Sequence, residues 1–135
     1  MGRRLKFDQM DFEITFFERL LEKKPDFIEA MEALADLYTK RGAFTKGLIL
    51  DEKIKKIKPY DPIVYYNLAC SYSLLNEIDK ALDTIQRAIK LGYDDLRHLE
   101  IDPDLENLRK DNRFQKLIRQ IIIPNKQTHE PGRSG

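Results

Sequence analysis

Cysteine is almost missing from this chain of 135 residues: Cys70 stands alone. No disulfide can close within it, which excludes an extracellular disulfide scaffold. No excess of one charge is present either, with 24 Lys and Arg against 23 Asp and Glu and a net charge of +1. A dedicated nucleic-acid binder usually carries a marked basic surplus, so the balance argues against one. Long apolar runs are lacking too. Runs such as 48–50 and 121–123 fall far short of the roughly 20 residues that a bilayer-spanning helix needs. Residues 1–7 carry charge but lead into Asp8, Gln9 and Asp11 instead of an apolar stretch, unlike a secretory signal. Met1-Gly2 begins like an acylation site, but Lys6 stands where Ser or Thr is needed. A cytoplasmic protein is the expectation.

The chemistry of active sites is equally sparse. The two histidines, His98 and His129, are far apart in the chain. No metal-ligand spacing, phosphate loop or Ser-His-Asp pattern occurs. No cofactor, no metal and no enzymatic activity are therefore expected. Cys70 has no histidine near it in sequence and reads as a small packing residue.

What the chain does have is a repeat. Leu34, Ala35, Tyr38, Gly42, Phe44, Gly47, Leu48 and Pro59 are followed 34 residues later by Leu68, Ala69, Tyr72, Asn76, Ile78, Ala81, Leu82 and Tyr93. A fixed period of this length belongs to stacked helical units. The helix-period spacing of apolar residues agrees. Helix one is expected over 8–24, with Phe12, Phe16, Phe17, Leu20 and Leu21 on one stripe and Pro25 as its stop. Helices follow over 26–40, 44–57, 61–75 and 78–91. Gly42 and Gly92 serve as C-terminal breakers and Asp61-Pro62 as a cap followed by a first-turn proline. A short turn is expected at 95–99. Asp102-Pro103 repeats the cap signal. The last helix starts at Asp111, carries Phe114, Leu117, Ile118, Ile121 and Ile122 on one face, and ends at Pro124. No segment reads as a strand.

These residues resemble the tetratricopeptide repeat (TPR). Tyr65, Leu68, Ala69, Tyr72, Ala81, Ile85 and Ala88 fit one repeat, and Met31, Leu34, Ala35, Tyr38, Gly47, Ile54 and Pro59 fit another. The segment from Asp102 to Leu117 is similar to those that close TPR arrays in prokaryotic proteins. The resemblance implies an all-α antiparallel helix-pair solenoid, a TPR-like right-handed superhelix. Its single domain spans 8–122: a half repeat at 8–25, full repeats at 26–59 and 60–93, and capping helices at 94–122. Residues 1–7 and 123–135 are expected to be flexible termini. Asp51 departs from the family pattern, which wants a bulky apolar residue there. A slight rotation that brings Leu50 inward is the preferred account, and a rim position near Lys55 is the other.

A stack of helix pairs implies a non-catalytic adaptor that binds another protein. By family position, the partner-binding groove would be lined by Glu29, Glu32, Asp36, Thr39, Tyr66, Asn67, Cys70 and Ser73, with Ile63 beside them. Glu32 and Asp36 would repel the C-terminal carboxylate that one TPR subclass grips. The expected ligand is instead a basic and apolar peptide or helix. Solvated surface acids are the plainer account of the same residues. The alternative function is a self-assembling structural subunit. Five of the seven phenylalanines (Phe7, Phe12, Phe16, Phe17 and Phe27) lie in the first 27 positions, and Phe12, Phe16 and Phe17 would form the edge of a homodimer. Lys53, Lys55, Lys56 and Lys58 form a basic run on a convex-side helix. Asp51 and Glu52 adjoin it, so it reads as a solvated face and not a nucleic-acid or membrane surface.

Overall fold

The computed structural model describes residues 2–128, with side chains from Gln9 to Ile122. The described chain is helical and contains no strand. Helices α1 (Gly2–Lys23), α2 (Ile28–Arg41), α3 (Phe44–Ile57), α4 (Pro62–Leu74) and α5 (Ile78–Lys90) pack each against the next. The short α6 (Leu96–Ile101), a 3-10 turn (Pro103–Leu105), the single-turn α7 (Glu106–Arg109) and the long α8 (Asn112–Thr128) follow.

The turns show why the period is legible. After α2, Gly42 takes the left-handed region at φ 87°, where a Cβ is costly. One period later Asn76 does the same at φ 59°, as Asn tolerates better than most residues. The backbone bonds repeat with it: Ala43 N donates to Tyr38 O at 2.8 Å and Glu77 N to Tyr72 O at 2.9 Å. Close approach of the paired helices rests on small residues. A Cβ on Gly47 would meet Thr39 Oγ1 at 3.3 Å and Ala35 O at 3.6 Å. In the second pair, Ala69 and Ala81 are fully buried.

Two apolar clusters result. Met31, Leu34, Ala35, Tyr38, Leu50, Ile54 and Val64 form the first, covered by Ile14, Phe17 and Leu21 of α1. The second joins α4 and α5 to the C-terminal segment through Ile85, Leu99, Leu105, Leu108, Phe114 and Ile118. Phe114 and Ile118 face the stack, while Lys116, Arg119 and Gln120 face water. Together Leu99, Leu105, Leu108, Phe114 and Ile118 cover the apolar face that α4 and α5 present on this side.

Several expectations need correction. Asp51 is neither rotated out nor on the rim: it is as buried as Leu50, and Ser71 Oγ donates to its carboxylate at 2.5 Å. A polar partner on the adjacent helix makes burial tolerable. The α1 stripe splits. Ile14, Phe17 and Leu21 pack inward, whereas Phe12 is 72% and Phe16 52% exposed, because α2 is the main neighbour of α1 and covers only one face of it. Residues 2–7, expected to be flexible, continue α1, since nothing from Gly2 to Lys24 breaks a helix once it has started. Pro124 does not end α8, which runs to Thr128. Met1 and 129–135, the rest of the expected flexible termini, lie outside the described residues, and His129 with them.

Candidate functional site: an acidic cavity between the A helices

The first turn of α4 is set by Asp61, whose side chain accepts from Ile63 N at 2.9 Å, with Pro62 at the first helical position. That start fixes which face α4 turns towards α2. Tyr66, Asn67, Cys70 and Ser71 then oppose Glu32, Ala35, Asp36 and Thr39 across a cavity of about 190 Å³. Asp51 and Ile54 of α3 and Val64 of α4 contribute to its lining, and the capping segment adds His98, Asp102 and Asp104.

Five carboxylates line this space, from Glu32, Asp36, Asp51, Asp102 and Asp104, against one basic group among the lining residues, His98. Burial, with a smaller push from Glu52 and against the Ser71 hydrogen bond, raises the Asp51 carboxyl to about 6. Asp102 is buried at 8% exposure. Its Oδ1 accepts from Asp104 N at 2.9 Å, capping the 3-10 turn, and its Oδ2 accepts from Tyr66 OH and faces His98 Nε2 at 3.1 Å. Cys70 Sγ donates to the same Oδ2 at 3.9 Å. Burial first, then Asp102 and Asp104, push the Cys70 thiol well up. Asp104 is raised by burial and by its neighbour Asp102.

Of the expected groove residues, the fold gathers Glu32, Asp36, Thr39, Tyr66, Asn67 and Cys70 around one space. Glu29 is exposed on the first turn of α2 and does not line it. Ser73 is fully buried away from the cavity: its Oγ accepts from Leu108 N at 3.1 Å and its carbonyl from Asn107 Nδ2 at 3.0 Å. The capping segment sits on that part of α4, so the groove stops there. Tyr66 is a fixed wall, stacked on Tyr93 with centroids 4.4 Å apart. Ile63 is exposed beside it. Asp36 pairs with Lys40 at 2.8 Å, and Lys58 reaches Glu32 at 3.5 Å. Lys58 therefore serves the groove rim and not only a convex basic stripe. Lys55 of that stripe is 3.4 Å from Glu52.

Sequence reasoning missed Asp51 as a lining residue, and His98, Asp102 and Asp104 altogether. Asp102 carries a local signal, but as a cap. That the same carboxylate also faces Tyr66 and Cys70 depends on the path by which the capping segment returns across α4.

The class that this architecture defines is the TPR-like helix-pair solenoid. It shares its fold with a solved structure, MamA 41-end from Desulfovibrio magneticus RS-1, at a TM-score of 0.71 and 16% identity, over 93% of this chain and 71% of that one. No family model matches the chain. In sequence it is similar to a chloroplastic protein of Arabidopsis thaliana, at 32% identity over 124 residues and 90% of this chain. The chain spans 36% of the length of that relative. No described helix is long and apolar enough to cross a membrane.

Proposed function

We propose that this chain is a non-catalytic adaptor whose helices over 8–122, read as a half repeat, two repeats and a cap, hold a partner segment in the groove between α2 and α4. The segment carries a basic side chain flanked by apolar ones. The observation that carries this reading is the charge imbalance of the cavity, five carboxylates around one imidazole. A lysine or arginine entering it meets Glu32 and Asp36 at the rim and the more buried acids behind them. Exposed Ile63 supplies adjoining apolar surface. The rim pairs with Lys58 and Lys40 are exposed enough to exchange, since such pairs contribute about 0–1 kcal/mol. The relative's chloroplastic name weighs against a cytoplasmic address, and the proposal does not depend on the compartment.

Selection from a displayed random-peptide library tests it. The wild type should enrich sequences with Lys or Arg next to apolar residues. The Glu32→Lys/Asp36→Lys variant should bind the winning peptide at least about tenfold more weakly, a loss of ~1.4 kcal/mol. Enriched sequences without a basic residue, or equal binding by both proteins, would refute the reading.

A second reading has its own observation. Phe12 and Phe16 are exposed on the free face of α1, over a shallow hollow of about 750 Å³ that Thr15, Arg19 and Leu20 help to line. In this reading two copies associate through α1. Light scattering over a concentration series should then show a dimer that Phe16→Asp dissociates. A monomer at every concentration sinks it. The nucleic-acid reading of the lysine run has less behind it still, because Lys55 and Lys58 are engaged with Glu52 and Glu32.

A further inference from the structure

We propose that Cys70, Asp102 and Asp104 form a binding site for a zinc ion in the wall of the cavity. Three separate stretches bring the donors together: Cys70 from the middle of α4, Asp102 from the end of α6, and Asp104 from the 3-10 turn. One ligand atom from each lies within 4.8 Å of the other two. Donors around a tetrahedral zinc, with bonds of about 2.0–2.3 Å, stand roughly 3–4 Å apart, so small side-chain rotations complete the geometry. A water entering from the cavity would complete the fourth position, as in zinc sites with three protein ligands.

The donor set selects the ion. A thiolate beside two carboxylates suits zinc, whereas magnesium and calcium favour oxygen alone. The surroundings are those of a held ligand set. Tyr66 OH and Asp104 N both donate to Asp102, which fixes its carboxylate as outer partners fix metal ligands. Tyr66 is itself held by its stack on Tyr93. The charge balance points to a cation as well. Buried carboxylates are normally paired with a cation or bound to a metal. Among the described residues neither Asp102 nor Asp104 forms a salt bridge with Lys or Arg, and only the imidazole of His98 faces Asp102. The cavity of about 190 Å³ supplies the entry path.

Binding replaces a proton. Cys70 loses its S–H proton to solvent as sulfur binds the ion, with no change of oxidation state. Affinity should therefore rise with pH, since one proton is released for each ion bound. Zinc would neutralise Asp102 and Asp104 and leave Glu32, Asp36 and Asp51 to face the groove, so the two readings can fail separately.

The test is titration of the chelator-stripped chain with zinc against a chromogenic chelator, and with cobalt followed by absorption. One equivalent should bind, and cobalt should give a thiolate charge-transfer band. Cys70→Ser should abolish that band and weaken zinc binding at least about tenfold. Asp104→Asn, at a partly exposed position where folding is not at stake, should weaken zinc by a similar factor while leaving the metal-free melting temperature unchanged. Absence of a thiolate band, or equal zinc affinity in the wild type and both variants, overturns the proposal.

Discussion

Phe114→Ala should lower the stability of the domain by about 3–5 kcal/mol, the range for a large side chain removed from a tight core. Phe114 is 2% exposed and is among the largest fully buried side chains. It does more than fill volume. With Ile118 it closes α8 onto the apolar cluster formed by α4, α5, Leu99, Leu105 and Leu108. Truncation leaves a cavity at the join between α4, α5 and the C-terminal segment. Domains are stable by only about 5–15 kcal/mol, so the loss is a large fraction of the whole. In urea, followed by far-ultraviolet circular dichroism, the midpoint should fall sharply. An unchanged slope would mean that the array still unfolds as one unit, and a reduced slope that the cap melts first. A loss under about 1 kcal/mol would contradict the role given to Phe114.

How much of this is readable beforehand follows from the range of the interactions. The helix order is legible because each determinant is local: Gly42 and Asn76 at the turns, Asp61-Pro62 at a start, small Gly47 and Ala81 at the close approaches. The amphipathic face of α8 is legible for the same reason. Half of the cavity can be named because Glu32, Asp36, Tyr66 and Asn67 fall at family positions on the A helices. The other half cannot. Ser71 reaches Asp51 across 20 residues and Tyr66 reaches Asp102 across 36, and no periodicity encodes either pairing. Family position misplaces Ser73 for the complementary reason, since Leu108 covers it from outside the repeat. Spacing sets Phe12 and Phe16 on one stripe with Phe17, but it cannot tell how many neighbours a helix will have.

Asp51→Asn should stabilise the protein at neutral pH, by about 2–3 kcal/mol. Burial raises the Asp51 carboxyl to about 6, against about 3.9 in an unfolded chain. Between roughly pH 4 and pH 6 the folded protein holds a proton that the unfolded chain has released, so stability falls as pH rises through that window. Above it both states are ionised, and the penalty is constant at ~1.4 kcal/mol for each unit of difference. Asparagine keeps an oxygen to accept from Ser71 Oγ and carries no charge to desolvate, so the penalty disappears. The gain should shrink to near zero at about pH 4, where the folded-state aspartate is already protonated. Thermal melts of the two proteins at pH 4 and pH 7 measure the difference directly, and equal melting temperatures at pH 7 would refute it. A destabilising charge retained in the wall of a cavity is what a stability–activity trade-off looks like. Asp51 stands behind Glu32 and Asp36 and extends their negative field inward, so the more stable Asp51→Asn protein should hold a basic peptide less tightly than the wild type. Gain of stability with undiminished binding would separate Asp51 from the groove and leave its burial without a functional reason.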